Sequence, residues 1–145
     1  MIEQNKIILG IDPGTTVMGY GVIEIINNKP QLVTLGVLEL QKYTDHYTKL
    51  GKIFERVSQL VEGYKVTEMA LEAPFFGKNV QSMLKLGRAQ GVAMAAGLSH
   101  NVPIFEYAPL RIKQAITGQG NASKEQVAMM LKQILKFDES SFYFN

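Results

Sequence analysis

The stretch that decides the fold is residues 7–16, Ile-Ile-Leu-Gly-Ile-Asp-Pro-Gly-Thr-Thr. Its five uncharged residues, 7–11, predict a strand buried on both faces in the middle of a helix-covered sheet. The strand ends on Asp12, and open α/β sheets place their chemistry outside the carboxyl ends of their strands. A buried carboxylate is costly unless it is paired or bound to metal, so a cation beside Asp12 is one expectation. A capping Asp that begins an Asx-turn before Pro-Gly is an equally good interpretation of these residues alone.

Length and composition indicate one globular domain over residues 1–145. Hydrophobic residues make up 46% of the chain and charged residues 19%, and there is no cysteine, which excludes disulfides and thiolate metal sites. The first six residues lack the apolar core of a signal peptide, and the apolar run 92–98 is too short to cross a bilayer. We therefore expect a cytoplasmic protein with no membrane partner.

Charge is distributed unevenly along the chain. Residues 1–72 contain seven basic and nine acidic side chains, whereas residues 73–145 contain eight basic and four acidic ones. This bias suggests a polyanionic partner. A solvated, lysine-bearing surface is the alternative, and charge alone favours it.

Hydrophobic periodicity predicts an α/β protein with elements in the order βββαβαβα. Residues 27–30, Asn-Asn-Lys-Pro, predict a tight turn, so the first three strands should form an antiparallel meander. The fourth strand follows a helical crossover and should run parallel to the first. The result is a mixed five-stranded sheet with helices on both faces. The predicted strands are about 6–12, 18–26, 31–40, 67–72 and 102–106, and the helices are about 45–63, 79–98 and from Ser123 onward.

The sequence also predicts where two of the helices begin or end and which face of the first helix is apolar. Gly63 is well placed to end the first helix, and the final helix begins with a possible capping box from Ser123 to Gln126. The apolar face of the first helix should consist of Leu50, Ile53, Phe54, Val57, Leu60, Val61 and Tyr64.

The second helix has a thin face, made by Gly87 and Gly91 together with Ala89, Ala93, Ala95 and Ala96. Glycine inside a helix costs about 1 kcal/mol relative to alanine, so close packing should compensate for it. The packing partner is either the sheet, which is the commoner case, or the same helix of a twofold-related copy.

A second acid, Glu72, ends the fourth strand as Asp12 ends the first. If these strands are parallel neighbours, both carboxylates emerge at one sheet edge, about 4.8 Å apart from strand to strand. Oxygen ligands without cysteine or paired histidine favour Mg²⁺ or Mn²⁺ over zinc. Two such ions can support phosphodiester cleavage. A solvated strand-end acid is the structural alternative for Glu72, and we assign no role to His46 or His100.

Several motifs resemble the RuvC family of Holliday junction resolvases. They are residues 8–14, Ile-Leu-Gly-Ile-Asp-Pro-Gly; 19–21, Gly-Tyr-Gly; 71–75, Leu-Glu-Ala-Pro-Phe; 84–91, Leu-Lys-Leu-Gly-Arg-Ala-Gln-Gly; 105–109, Phe-Glu-Tyr-Ala-Pro; and 113–114, Lys-Gln. They span nearly the whole chain in the family's order.

The resemblance implies an RNase H-like fold and a homodimer that nicks four-way DNA junctions symmetrically in recombination and repair. It implies two Mg²⁺ ions per complete site, with Mn²⁺ as the alternative, and a branch-migration complex as a further partner. It assigns the first two catalytic and metal-binding acids to Asp12 and Glu72.

One departure from the family concerns the remaining acids. The family completes its site with an Asp-x-x-Asp pair on a further helix, a spacing that this sequence does not contain. Asp138 is followed three residues later by Ser141, so we do not assign it this role. We therefore expect a chain shortened at its C-terminus, without that final helix, whose own nuclease activity is open.

The DNA-facing residues follow partly from chemistry and partly from the resemblance. One of the two adjacent aromatics after Glu72 can stack on an unpaired base, although both can instead cap the core. A glycine loop before a helix N-terminus offers N–H groups to a phosphate. For Lys124, in the first turn of the helix that follows, the alternative to phosphate binding is a solvated surface lysine. The expected DNA-contacting residues are Phe75, Phe76, Lys78, Lys85, Arg88, Arg111, Lys113, Gly118, Gly120 and Lys124.

Two other functions fit parts of the sequence. A catalytically incomplete junction-binding domain would keep the fold and the basic surface but lack the last acids. Residues 10–16 also resemble the phosphate loop of the actin and Hsp70 ATPases. Those proteins need two such lobes to enclose ATP, so we rank this function last.

Overall fold

The computed structural model describes residues 5–27, 29–72, 77 and 79–107 of this chain. Within these residues the order of elements is βββαβαβ, as predicted; the final predicted helix lies outside them. The elements are β1 (Lys6–Asp12), β2 (Val17–Ile26), β3 (Lys29–Glu39), α1 (His46–Tyr64), β4 (Glu68–Glu72), α2 (Val80–Leu98) and β5 (Ile104–Tyr107).

The five strands form one mixed sheet in the order β3-β2-β1-β4-β5. β1 pairs antiparallel with β2 and parallel with β4, while β2–β3 is antiparallel and β4–β5 is parallel. The predicted meander, the parallel β1–β4 pair and the central position of β1 are therefore confirmed. Because parallel strands end at the same side of a sheet, the carboxyl ends of β1, β4 and β5 share one edge.

The β2–β3 hairpin turns at Asn27, whose backbone is left-handed (φ 52°), a conformation that asparagine tolerates better than most residues. β3 begins at Lys29, two residues earlier than predicted, and so contains Pro30. Proline is accommodated because β3 is an edge strand, where a missing N–H breaks no central ladder.

One face of the sheet carries the core. Leu9 and Ile11 of β1 are buried, and so are their β4 partners Met69 and Leu71. The intervening residue Gly10 is only half-buried. The strand is thus fully buried on one face and half-buried on the other, rather than buried on both faces as predicted.

Both described helices pack on this buried face. Arg56 of α1 donates a hydrogen bond to Tyr20 Oη at 3.2 Å, and Tyr20 pairs with Ile11. On α2, a β-carbon at Gly97 would meet the Met69 side chain, which lies on the same face. The prediction of helices on both faces therefore depends on the final predicted helix, which lies outside the described residues.

α1 is longer than predicted at its C-terminus. Gly63 does not end the helix; the helix continues through Tyr64, and Lys65 takes the left-handed capping conformation (φ 55°). The Lys65 N–H reaches the Val61 carbonyl, which satisfies a terminal acceptor without glycine. Phe54 and Tyr64 are 41% and 37% exposed, so the apolar face predicted for α1 is too wide at these two residues. The buried residues of α1 are Ile53, Val57, Leu60 and Val61.

α2 turns three of its alanines and Gly97, and not Gly87 or Gly91, toward the core. Ala89, Ala93 and Ala96 are fully buried. Gly87 and Gly91 are exposed, and a β-carbon at either would meet nothing within 4 Å. Of the predicted thin face, three alanines therefore pack on the core, as in the commoner of the two alternatives, whereas Gly87 and Gly91 do not. Among the described residues, no helix combines the length and apolar character that crossing a membrane requires.

Candidate metal and DNA-binding site

The candidate site lies at the sheet edge where β1 and β4 end. Asp12 is the last residue of β1, is half-buried, and pairs across the β2 ladder with Gly19. Glu72 is the last residue of β4. Both acids are therefore placed by strands whose apolar residues fix them in the sheet.

The register of β1 and β4 aligns the two acids. Gly10 pairs with Ala70, and Ile11 pairs with Leu71. Continuing this register by one residue sets position 12 opposite position 72. Neighbouring strands lie about 4.8 Å apart, and side chains alternate between faces every residue. Positions 12 and 72 consequently belong to the same face, opposite the one that carries Leu9, Ile11 and the helices.

Small residues surround Asp12 on this second face. Gly10 pairs with Gly21 on β2 and with Ala70 on β4, and Gly19 stands opposite Asp12 itself. A β-carbon at Gly19 would meet only the β-carbon of Asp12, at 3.7 Å, among the described atoms. Glycine in a strand interior often marks a place where a ligand or another backbone approaches closely. This role of the glycines was not predicted from the sequence, although the alternate-residue spacing of Gly19 and Gly21 is a visible signal of it.

The turn after Asp12 is sterically tight. Residues 13–16 connect β1 to β2, and a β-carbon at Gly14 would overlap the carbonyl oxygen of Val17. Beyond the turn, the Leu40 N–H donates to the Thr16 carbonyl at 2.9 Å, which ties the end of β3 to the same connection. Gly14 thus allows the chain to reverse directly beside the acid.

Two of the predicted DNA-contacting residues lie on the described surface. Lys85 and Arg88 are both exposed on α2, in its N-terminal half. α2 begins eight positions after the end of β4, so this half of the helix starts from the edge that carries Asp12 and Glu72. Both cations belong to the helical layer, in the half of α2 that follows the carboxyl end of β4 along the chain. The other predicted contacts lie outside the described residues: Phe75, Phe76, Lys78, Arg111, Lys113, Gly118, Gly120 and Lys124.

The acids at this edge are Asp12 and, by its backbone position at the end of β4, Glu72. Across residues 5–27, 29–72, 77 and 79–107, no group of three or more His, Cys, Asp or Glu side chains could hold a metal ion. Two carboxylates match the oxygen preference of Mg²⁺ and Mn²⁺, which keep several of their waters when bound. The donor set therefore fits a hard divalent cation and does not fit a zinc site of His and Cys ligands.

Comparisons with known proteins identify relatives over most of the chain. A family model described as crossover junction endodeoxyribonuclease RuvC matches residues 8–142. A Cytophaga hutchinsonii protein of that name is 67% identical over 135 residues, which are 93% of this chain and 68% of that relative. A Bacteroides fragilis protein of the same name is 63% identical, over 92% of this chain and 71% of the relative.

Solved structures give the same result. Thermus thermophilus RuvC in complex with Holliday junction substrate superposes with a TM-score of 0.82 at 32% identity, covering 92% of this chain and 82% of that one. The yeast mitochondrial Holliday junction resolvase Ydc2 has a TM-score of 0.66 at 14% identity, over 97% and 68% of the two chains, which shows a shared fold.

Proposed function

This chain belongs to the RuvC family of crossover junction endodeoxyribonucleases, and on that premise we propose that it resolves four-way Holliday junctions by metal-dependent phosphodiester cleavage. Its fold is RNase H-like, with the mixed sheet that the sequence predicts. The observation that carries the proposal is the alignment of Asp12 with Glu72 at the ends of two parallel neighbouring strands.

Asp12 and Glu72 are the proposed catalytic residues and metal ligands. The proposed cofactor is Mg²⁺, with Mn²⁺ as the alternative, at two ions in a complete site. When bound, such ions activate water and stabilise the leaving oxygen of a phosphodiester. The acids hold and orient the cation, and the glycines around Asp12 keep the adjoining surface low enough for a DNA backbone to approach.

Lys85 and Arg88 are the proposed phosphate contacts on the described surface. Exposed cations bind phosphates without reading sequence and make the affinity depend on salt. The remaining contacts stay as proposed from the sequence: Phe75, Phe76, Lys78, Arg111, Lys113, Gly118, Gly120 and Lys124.

The proposed assembly is a homodimer that contacts through α2. Three large apolar side chains of α2 are more than half exposed: Val80 at 65%, Leu84 at 57% and Leu98 at 58%. With Gly87 and Gly91 they form one stripe, because steps of three and four residues stay on one helix face. We call these five residues the α2 stripe. Its glycines would let a second, twofold-related helix approach closely, and the two active sites would then face the two symmetric strands of a junction.

The wider biological setting is likewise a proposal. We place the enzyme in the cytoplasm as a single nuclease domain over residues 1–145 that acts with a branch-migration complex. A junction-binding domain without nuclease activity is the alternative that the following experiment distinguishes.

A labelled four-way junction tests the proposed function directly. With Mg²⁺ present we expect paired nicks at symmetric positions, and we expect Asp12→Asn to abolish them while junction binding persists. Asp45→Asn is the matched control, since Asp45 caps α1 and belongs to no proposed site. Binding without nicks in the unmodified chain would favour the non-catalytic domain, and nicks that survive Asp12→Asn would remove Asp12 from the site.

A further inference from the structure

The C-terminal ends of α1 and α2 meet through one histidine. His100 follows the end of α2 directly, and its Nε2 lies 2.7 Å from Oε1 of Glu62 on α1. Its Nδ1 lies 2.9 Å from the Ala96 carbonyl oxygen and 3.1 Å from Ser99 Oγ. The ring therefore bridges two helices through residues that are 38 positions apart in sequence.

Counting donors and acceptors shows which form of the ring fits. Ser99 Oγ uses its single proton to donate to the Ala96 carbonyl at 2.7 Å, so it faces His100 as an acceptor. Nδ1 then faces two acceptors and Nε2 faces a carboxylate. A neutral imidazole has only one N–H, so the lone pair of its other nitrogen would face an acceptor oxygen without a hydrogen bond. The imidazolium carries an N–H at both nitrogens and can donate to both sides. The geometry thus fits the protonated ring.

Helix electrostatics favour the same form. Glu62 lies in the last turn of α1, where an acid opposes the helix dipole, and neither helix has a basic residue in its last turn. A charged His100 compensates Glu62 and also caps the C-terminal carbonyls of α2. Asn101 completes the turn in a left-handed conformation (φ 60°), which lets the N–H of Val102 return to the Gly97 carbonyl at 3.0 Å.

We propose that His100 is a proton-dependent link between the C-terminal ends of α1 and α2. It holds the two helix ends together when its imidazole is charged and releases them when the imidazole is neutral. This device goes beyond the nuclease function and does not depend on it. It lies at the sheet edge opposite Asp12 and Glu72, because α1 and α2 run antiparallel to β4.

The surrounding charges leave Glu62 as the ionic partner. From α1, Glu62 faces the ring, and Lys65 follows as the helix cap; from α2, the groups facing the ring are the uncharged oxygens of Ala96 and Ser99. At the start of β4, Glu68 is paired with Lys6 at 2.9 Å. No further charged group of the described residues is needed to explain the bridge.

The pH range follows from the direction of the shift. The hydrogen bond to the Ala96 carbonyl, and then that to Glu62, raise the pKa of His100 above its ordinary value of 6.5. A raised pKa in the folded state means that the stabilisation is complete below the unfolded pKa and is lost as pH rises through the folded pKa. The link between the helices should therefore be lost on the alkaline side of the ordinary histidine pKa of 6.5.

Hydrogen exchange tests the proposal on the intact chain. The reporters are the N–H groups of Ser99, His100, Asn101 and Val102, which bond back to the last carbonyls of α2. We expect their protection to fall as the pH is raised from about 6 to about 9, because the raised pKa of His100 makes its neutral form dominate at the upper end. In His100→Asn and Glu62→Gln that pH-dependent fall should be reduced or absent.

His46→Asn is the matched control, because it removes the other histidine and should leave the fall unchanged. The same variant assigns the two imidazole signals, so that the pKa of His100 is read directly by NMR. Equal pH profiles in the unmodified chain and in His100→Asn would overturn the proposal. So would a measured pKa for His100 at or below 6.5. If His100→Asn does not fold, Glu62→Gln and the NMR titration still decide the question.

Discussion

At the scale of single residues, Gly14 controls the reversal of the chain beside Asp12. A β-carbon at position 14 would overlap the backbone carbonyl of Val17, which cannot move aside without shifting the start of β2. We expect Gly14→Ala to cost about 1–3 kcal/mol of folding free energy, measured by denaturant unfolding. Gly51→Ala is the matched control, because position 51 is an exposed helix site with nothing within 4 Å, and it should stabilise the chain slightly. Equal effects of the two substitutions would show that the turn tolerates a side chain.

At the scale of elements, each described helix begins with a side-chain cap of different chemistry. Asp45 accepts from the N–H of Thr48 at 3.1 Å, and Asn79 accepts from the N–H of Ser82 at 3.1 Å. The hydroxyl of Thr48, and then its N–H, lower the pKa of Asp45 below its ordinary 3.8. The α1 cap should therefore stabilise above that unfolded value and fail as pH falls through the folded pKa, while the α2 cap should not depend on pH.

Thermal unfolding across acidic pH distinguishes these two caps. We expect Asn79→Ala to cost about 1 kcal/mol at every pH. Asp45→Ala should lower Tm near neutral pH and lose its effect in strong acid, and Asp45→Asn should keep the cap while removing its acid sensitivity. A pH-independent effect of Asp45→Ala would mean that the Thr48 contacts do not depend on the charge of Asp45.

At the scale of the whole molecule, the α2 stripe decides whether two active sites act together. Leu84 of this stripe is 57% exposed, and a charge there would be buried without a partner in the proposed dimer. We expect Leu84→Glu to shift sedimentation toward the monomer and to convert paired nicks into single ones. Val33→Glu, at a 46% exposed position on the edge strand β3, is the matched control and should change neither. A dimer that survives Leu84→Glu would exclude the stripe as its interface.

Much of the fold follows from local patterns in the sequence. Alternating and helical periodicity predict all seven described elements, and the crossover rule predicts that β4 runs parallel to β1, while the structure shows that the two strands are neighbours. Element ends are less predictable: Gly63 is the residue expected to end α1, yet Lys65 does so because a backbone N–H can reach the Val61 carbonyl there.

Some residues of the candidate site can likewise be predicted from the sequence, and others cannot. Asp12 and Glu72 can be chosen from the sequence because each ends an apolar strand, and the topology then brings them to one edge. The glycines beside Asp12 could not be assigned, since their role depends on which strand lies opposite.

The sequence by itself determined the order of the elements, the strand-end acids and the family, because each depends on residues close together along the chain or on motifs in a fixed order. Only the tertiary structure decided which way α2 turns its glycines and that His100 meets Glu62. Both depend on the rotation and packing of whole helices, which are fixed when buried surfaces far apart in sequence come into contact.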